Sequence, residues 1–209
     1  MRIAFLIPCY NTKPHHLIEA VSSCINQTYK VNEIVIINDG STDVNTINAL
    51  KLCEQMGARV EHLYKNFGTS FALNIGHDCC RNFDWVALMG SDDISFATRI
   101  EQQVGYLKQN PRVQILGTGL FTFKDSDPYR KKVLEMFHEQ IVTKKPTGTQ
   151  FWCTNHGTVM YNLDIFKTLK GYNVDYKRAQ DVELWARAAN SGIVIHNLRQ
   201  VLYAYRRYN

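Results

Sequence analysis

The sequence predicts an α/β fold with a doubly wound, mainly parallel central sheet flanked by helices. Short apolar runs alternate with stretches of helical spacing four times before residue 95. These runs are continuously apolar, as in strands of a parallel sheet that is covered on both faces. Polar residues follow the runs directly, at the sheet edge where open α/β folds bind ligands. Such alternation favours right-handed crossovers with helices on both sides of the sheet.

The elements of the first half are defined by their breakers and caps. Pro14 opens the first helix, Ser41, Thr42 or Asp43 can cap the second, and Gly57 ends it. The predicted elements are a strand at 2–8, a helix at 14–29, a strand at 33–38, a helix ending near 56, a strand at 58–63, a helix at 69–81 and a strand at 85–89.

The second half has weaker signals. Ile100, Val104 and Leu107 have helical spacing, and Pro111 ends that helix. Residues 124–146 are rich in charge, and we expect a mobile segment with one helix around 132–142, of the kind that covers active sites. The other predicted elements are helices at 96–110, 163–169 and 181–190 and strands at 113–117, 158–161, 193–195 and 201–205.

Composition places the chain among soluble globular domains. With 45% hydrophobic and 21% charged residues over 209 positions, it can bury a full core. The net charge of +5 is spread along the chain, so we expect no nucleic-acid partner. Six cysteines without a C-x-x-C pair, and no secretory leader, predict reduced thiols in a cytoplasmic protein. No apolar stretch reaches the roughly 20 residues that a transmembrane helix needs.

The adjacent carboxylates Asp92 and Asp93 follow the central apolar run directly and are the strongest candidates for chemistry. Two neighbouring acids repel unless one takes up a proton or a cation lies between them. Mg²⁺ prefers carboxylate oxygens and commonly keeps ligand phosphates as further partners. We therefore hypothesise a site for a metal ion and a diphosphate. The alternative is that one acid only caps the helix predicted to begin near Phe96.

Three strand ends project polar residues toward one rim of the predicted sheet: Tyr10 and Asn11, then Asp39, then the acid pair. A tyrosine can stack on a planar base, and a carboxylate can accept from a base N–H or a ribose hydroxyl. This arrangement predicts a nucleotide pocket, although Tyr10 could be an ordinary half-buried aromatic and Asp39 a turn residue. No glycine-rich phosphate turn follows the first strand, which disfavours a dinucleotide-binding fold.

A series of short motifs runs along nearly the whole chain, from Ile3 to about Arg206. The motifs are IPCYN at 7–11, EIVIINDGSTD at 33–43, NFG at 66–68, NIG at 74–76, MGSDDI at 89–94, RIEQQ at 99–103, NP at 110–111, QDVELW at 180–185 and YR at 205–206. In this order they resemble the GT-A-fold glycosyltransferases of family 2, which are inverting enzymes.

The resemblance implies a nucleotide-diphospho-sugar transferase fold in a single domain, with a nucleotide-binding half at about 1–117 and an acceptor half at about 118–209. It also implies a UDP-linked hexose or deoxyhexose donor, a carbohydrate acceptor, Mn²⁺ or Mg²⁺ on Asp93, and Asp181 as the catalytic base. The donor-binding residues that it implies are Pro8, Tyr10, Asn11, Asp39, Gly68, Asn74, Ser91 and Asp92.

Two positions depart from the family pattern. Gly90 stands where the family often carries an acid, and Gln180 stands where it commonly has Glu before Asp181. These departures motivate an alternative, a catalytically silent nucleotide-sugar-binding module; a sugar nucleotidyltransferase is a third option. Asp181 could instead cap its helix, and His156 could contact the sugar, diphosphate or acceptor or be structural.

The chain ends soon after the YR motif at 205–206, where relatives usually continue. We therefore expect one catalytic domain of a longer protein with further domains. The size and this ending are similar to a domain of a chlorovirus-type multidomain glycosyltransferase.

Overall fold

The computed structural model describes residues 1–134 and 154–208. The helices are α1 Pro14–Ile25, α2 Val44–Gln55, α3 Thr69–Cys79, α4 Arg99–Gln109, α5 Leu163–Thr168 and α6 Gln180–Asn190, with a short 3-10 helix at His156–Thr158. The strands are β1 Ile3–Cys9, β2 Glu33–Asn38, β3 Arg59–His62, β4 Trp85–Leu88, β5 Ile94–Ser95, β6 Ile115–Lys124, β7 Asp127–Leu134, β8 Met160–Asn162 and β9 Ile195–Arg206.

Within the described ranges, nine strands form one curled sheet in the order β3-β2-β1-β4-β8-β6-β9-β5, with β7 paired to β6. The first four strands pair in parallel, β1 with both β2 and β4, and β2 with β3. Beyond β4 the sheet is mixed, because β8 runs antiparallel to β4 and β6 while β9 runs parallel to β6. The predicted α/β class is confirmed, and its parallel character is strongest in the first half.

The first strand is apolar on every side chain because helices cover both faces of the sheet. Ile3, Phe5 and Ile7 pack with α1, α2 and α4 on one face, and Ala4 and Leu6 pack with α3, α5 and α6 on the other. Burial of one such large side chain contributes roughly 1.5–3 kcal/mol, so β1 anchors both layers. The loop that follows β1 therefore starts from a fixed point.

The predicted elements of the first half occur within a few residues of their expected bounds. The largest difference is α1, which ends at Ile25 and not near Tyr29. The chain leaves the helix there because Thr28 N–H donates to the Ala97 carbonyl and the buried Gln27 side chain donates to the Phe96 carbonyl. These bonds hold α1 against the segment that follows the acid pair.

Several predictions for the second half were wrong. The strand expected at 113–117 continues to Lys124 as β6, and the strands expected at 193–195 and 201–205 are one strand, β9. The two long strands pair from Ile115 with Ile195 to Phe123 with Arg206, through bulges near Gly119. This continuous pairing overrides the local strand breakers. Of the helix expected at 132–142, residues 132–134 belong to β7, and the remainder lies outside the described residues.

The described cysteines are free thiols, and Cys153 lies outside the described residues. Burial raises the pKa of the Cys24 and Cys80 thiols to about 12, so both stay protonated and unreactive near neutral pH. In the parts of the chain that the structure describes, we find no helix whose length and apolar character would allow it to cross a membrane.

Candidate active site

A pocket of about 600 Å³ opens at the carboxyl ends of β1 and β4, a volume within the range of ligand-binding clefts. Its wall combines residues from both halves of the chain. The residues that line it are Pro8, Thr69, Leu88, Met89, Gly90, Ser91, Asp92, Asp93, Leu120, Thr122, Asn155, His156, Gly157, Asp181, Tyr203, Tyr205 and Arg207. The structure therefore brings the acid pair, Asp181 and His156 to one cavity.

The acid pair is held from behind by the end of β9. Asp93 is 3% exposed, and its Oδ2 and Oδ1 accept from the Tyr203 hydroxyl at 2.7 Å and the Arg206 N–H at 2.8 Å. The half-buried Asp92 accepts from the Tyr208 hydroxyl at 2.7 Å, and its backbone carbonyl accepts from Arg206 Nε at 2.7 Å. The cap alternative was wrong, because Thr98 is the N-cap of α4.

Burial gives Asp93 the electrostatics of a cation site. Desolvation, together with the negative charge of Asp92, raises the pKa of Asp93 to about 7, against the hydrogen bonds from Tyr203 and Arg206. A bound cation would favour the ionised form. Each Asp93 oxygen accepts one hydrogen bond from Tyr203 or Arg206 and keeps a second lone pair. The donor set of the pair therefore fits a hard ion such as Mg²⁺ or Mn²⁺.

A second cluster of possible ligands lies beside the first. Ligand atoms of His15, His16 and Asp125 lie within 4.8 Å of one another. However, His16 Nε2 is 2.7 Å from Asp125 Oδ2, and the other Asp125 oxygen pairs with the buried guanidinium of Arg206. A divalent ion would have to displace these bonds beside a fixed positive charge. The acid pair is therefore the better cation site.

Asn11 ties the loop after β1 to the loop after β2. Its Oδ1 accepts from the Thr42 and Asp43 N–H groups at 2.8 and 3.0 Å, and its own N–H donates to Ser41 Oγ at 3.0 Å. Asn11 has a φ of +46°, a conformation that Asn adopts more readily than most residues. Asp43 caps α2 by accepting from the Asn45 N–H, which confirms one of the three predicted caps.

Asp39, directly after β2, also ties two loops together. It is 3% exposed, and its two oxygens accept from the Phe67 and Gly68 N–H groups, each at 2.8 Å. At the neighbouring Gly40, a Cβ would lie 2.2 Å from the carbonyl carbon of Lys65, so this loop approaches too closely for any side chain. Asp39 thereby fixes the segment that leads into α3.

Some predicted donor-binding residues lie outside the pocket lining. Tyr10 is 48% exposed, and Tyr10, Asn11, Asp39 and Gly68 form the adjoining edge of the sheet. Asn74 exchanges two hydrogen bonds with the backbone of Tyr172, at 2.9 and 2.8 Å, and so joins α3 to the segment after α5.

Pro8, Ser91, Asp92 and Asp93 are the predicted residues of the first half that line the pocket itself. The Ser91 hydroxyl lies 2.7 Å from that of Thr12, which joins the loops after β4 and β1.

Asp181 lies in the first turn of α6 and lines the pocket. The cap alternative was wrong here too, because the N-cap is Ala179, in a left-handed conformation, and no side chain caps the helix. Within residues 1–134 and 154–208, the Asp181 carboxylate has no hydrogen-bond donor. It is therefore a pocket-lining carboxylate whose oxygens are not engaged by the described part of the chain.

His156 lines the pocket with Asp181. Its Nε2 lies 2.8 Å from the Tyr172 hydroxyl. Burial lowers the pKa of His156 while the charge of Asp181 opposes that shift, and burial raises the pKa of Tyr172 well above its usual range. Both groups are therefore neutral near pH 7, and neither supplies Asp181 with a cationic partner.

Sequence reasoning missed Asn155 and Tyr203. Asn155 is 8% exposed and lines the pocket, and its Nδ2 has no hydrogen-bond partner in the described part of the chain. The run Thr154-Asn155-His156-Gly157, polar before an apolar strand, was the available signal. Tyr203 lies in an apolar run and gave no signal for a site, because its partner Asp93 is 110 positions away.

The curled mixed sheet with flanking helices is the GT-A fold. Residues 4–170 match the family described as glycosyl transferase family 2, and the chain belongs to that family. EpsE of Bacillus subtilis is 29% identical over 209 residues, covering 98% of this chain and 73% of EpsE.

Two solved structures share the fold. Staphylococcus aureus TarS 1-349, in complex with UDP-GlcNAc, has a TM-score of 0.78 at 17% identity, covering 100% of this chain and 59% of that one. The Pyrobaculum calidifontis mannosyltransferase PcManGT, in complex with GDP-Man and Mn²⁺, has a TM-score of 0.72 at 15% identity, with 97% and 56% covered. The chain thus spans about three-fifths of each of these two solved chains. The chlorovirus-type origin stays a prediction.

Proposed function

We propose that this domain is an inverting, metal-dependent glycosyltransferase that moves a hexose or deoxyhexose from a UDP-sugar to a hydroxyl group of a carbohydrate acceptor. The observation that carries this proposal is one pocket lined both by the acid pair, with its buried Asp93, and by Asp181, whose carboxylate has no donor among the described residues. The UDP-GlcNAc bound to TarS and the GDP-Man and Mn²⁺ bound to PcManGT support a nucleotide-sugar donor and a divalent ion.

Asp93, with Asp92 beside it, would hold Mn²⁺ or Mg²⁺ at the diphosphate. When bound, the ion neutralises charge on the departing nucleoside diphosphate. Asp181 would lie on the far side of the sugar from Asp93 and take the proton from the acceptor hydroxyl as it attacks the anomeric carbon. Attack from the face opposite the diphosphate inverts the configuration. His156 and Asn155 would orient the sugar or the acceptor from the same wall.

The donor would extend from the pocket along the edge of the sheet, with its base against the exposed ring of Tyr10 and its ribose near Asp39. The remaining proposed donor-site residues are Pro8, Asn11, Gly68, Asn74, Ser91 and Asp92. In this proposal residues 1–117 are the nucleotide-binding half and 118–209 the acceptor half of a single domain. The free thiols support a cytoplasmic location.

The direct test incubates the protein with a panel of UDP-sugars, Mn²⁺ or Mg²⁺ and candidate glycans, and measures UDP release and glycan mass. Metal-dependent UDP release with a glycan gain of one sugar supports the proposal. Binding of UDP-sugars without turnover of any donor and glycan would favour the silent module that Gly90 and Gln180 suggest. Release of pyrophosphate from UTP and a sugar phosphate would favour a nucleotidyltransferase.

A further inference from the structure

The Tyr203 hydroxyl lies behind the acid pair, between Asp93 and the backbone of Gly90. It donates to Asp93 Oδ2 at 2.7 Å and accepts from the Gly90 N–H at 2.9 Å, so both of its hydrogen-bonding functions are used. Tyr203 is fully buried, and its backbone lies between β6 and β5, in register with Leu120 and Ser95. The hydroxyl is therefore presented by a strand that is paired on both sides.

Two glycines make room for this hydroxyl. A Cβ at Gly90 would lie 2.3 Å from Asp93 Oδ2 and 3.3 Å from the Tyr203 hydroxyl oxygen. A Cβ at Gly157 would lie 2.4 Å from the same hydroxyl oxygen. A side chain at position 90 would displace Asp93, and a side chain at position 157 would displace the Tyr203 hydroxyl. The absence of an acid at position 90 is thus a condition of the observed contact.

Two arginines complete the contact from other directions. The buried Arg99 guanidinium lies 5.3 Å from the Tyr203 ring centroid. The backbone N–H of Arg206 donates a hydrogen bond to the second Asp93 oxygen, Oδ1. Tyr203 and Arg206 belong to one strand, so β9 fixes both oxygens of Asp93 at once. One lone pair of each oxygen remains for a ligand.

We propose that Tyr203, Gly90 and Gly157 form a seat that positions the Asp93 carboxylate toward the cation and diphosphate, and we name it the Asp93 seat. Tyr203 is a positioning residue in this proposal, because it acts through Asp93 and does not touch the donor. The inference rests on the proposed function, since it requires Asp93 to bind the cation. Partners that orient a metal-binding carboxylate typically alter metal affinity 10- to 100-fold when they are removed.

The test is calorimetric titration of Mn²⁺ into the whole chain saturated with UDP, comparing wild type with Tyr203→Phe. The substitution removes one hydroxyl group and keeps the ring. We expect Mn²⁺ affinity to fall about tenfold or more.

The matched control is Tyr161→Phe, which removes a buried tyrosine hydroxyl that bonds to His77 in the core layer on the other face of the sheet. Tyr161→Phe removes one buried hydrogen bond, as Tyr203→Phe does, and we expect it to lower the free energy of unfolding without changing Mn²⁺ affinity. Gly157→Ala crowds the Tyr203 hydroxyl without removing it, and we expect Mn²⁺ affinity to fall as in Tyr203→Phe. Gly157→Ala decides the matter if Tyr203→Phe fails to fold.

The outcomes separate the two proposals. If wild type binds Mn²⁺ with UDP and neither Tyr203→Phe nor Gly157→Ala weakens that binding beyond Tyr161→Phe, the seat is overturned and the proposed function stands. If wild type binds neither UDP nor Mn²⁺, both are overturned. A fall in Mn²⁺ affinity in Tyr203→Phe and Gly157→Ala, but not in Tyr161→Phe, supports the Asp93 seat.

Discussion

The edge of the sheet that carries and adjoins the pocket, here called the strand rim, and the helical wall of the pocket, here called the helix rim, differ in how their polar atoms are paired. The strand rim, formed by the loops after β1, β2 and β4, bonds largely to the protein itself, through Asn11, Asp39 and Asp93. The helix rim, formed by residues 154–157 and the first turn of α6, presents the Asp181 carboxylate and the Asn155 amide without partners among the described residues. The side chains of the strand rim are therefore held in place before a ligand binds. On the helix rim, the Asp181 carboxylate and the Asn155 amide can form hydrogen bonds with the ligand.

The energetic cost of that difference is concentrated on the helix rim. A buried polar atom that stays without a partner costs about 1–3 kcal/mol, so the Asn155 amide is a place where an acceptor on a ligand would stabilise the complex. A ligand that supplies the missing acceptor recovers part of this free energy. Substitutions on the strand rim should therefore change stability together with binding, and substitutions on the helix rim should change turnover or substrate affinity alone.

The largest effect is expected for Asp181→Asn, which keeps the size of the side chain and removes the basic carboxylate. If Asp181 is the base, kcat falls by roughly 10²-fold or more while UDP affinity and Tm stay unchanged. The control is Asp164→Asn, an exposed acid in the first turn of α5, which should leave kcat unchanged. Turnover of Asp181→Asn near that of wild type would remove Asp181 from the mechanism.

Asp39→Ala tests the strand rim. It leaves the Phe67 and Gly68 N–H groups without their acceptor, and we expect a loss of about 2–4 kcal/mol in the free energy of unfolding. UDP affinity should fall as well, because the segment before α3 loses its anchor. Urea denaturation and UDP calorimetry measure both quantities, and Asp39→Asn, with one acceptor left, should lie between. Weakened UDP binding at unchanged stability would contradict the comparison.

Asn155→Ala tests the helix rim in the opposite sense. It removes a buried donor that has no partner in the described part of the chain, so the ligand-free protein should be as stable as wild type or slightly more stable. The KM for the donor or acceptor sugar should rise about tenfold, the scale of one lost hydrogen bond. Steady-state kinetics with thermal unfolding checks both. A clear loss of stability would mean that Asn155 is paired within the protein.

The smallest effect, taken over one pH unit, is a pH dependence of the stability of the metal-free protein. The pKa of Asp93 is raised to about 7 from 3.8, so between about pH 4 and pH 7 the folded state binds more protons than the unfolded state. Asp93 therefore makes stability fall as pH rises through that interval, by at most about 1.4 kcal/mol per pH unit. Asp93→Asn removes this contribution.

The difference in unfolding free energy between Asp93→Asn and wild type should therefore shift in favour of the variant from about pH 4 to pH 7 and level off above. Urea denaturation in EDTA across this range measures it. Parallel curves for the two proteins would contradict the raised pKa.

The first half of the fold and the acid pair were predictable because their signals are local. Apolar runs with Pro, Gly or Asp at their ends define β1, β2 and β4, and parallel strands bring those ends together. The motif at 180–185 likewise indicated a carboxylate at the start of a helix, although its freedom from a capping bond required the structure.

The second half was not predictable in detail, because long-range pairing decides it. β6 continues through Gly117 and Gly119, which are typical strand breakers in a sequence, because it pairs with β9 along this length. The contact of Tyr203 with Asp93 spans 110 positions, and that of Asn74 with Tyr172 spans 98. A local pattern of residue types does not identify partners so far away in the sequence. The sequence could therefore indicate Asp93 and Asn74 as candidates, but it could not identify their hydrogen-bond partners.

The central claim is that Asp93 binds a divalent ion that holds the diphosphate. Calorimetry of UDP binding, with Mn²⁺ and with EDTA, to wild type and Asp93→Ala tests it most directly. The account predicts that wild type binds UDP at least tenfold more tightly with Mn²⁺ than with EDTA, and that Asp93→Ala loses this difference because Asp92 alone repels the diphosphate. Equal UDP affinity in the two proteins, with the same Mn²⁺ dependence, would contradict it.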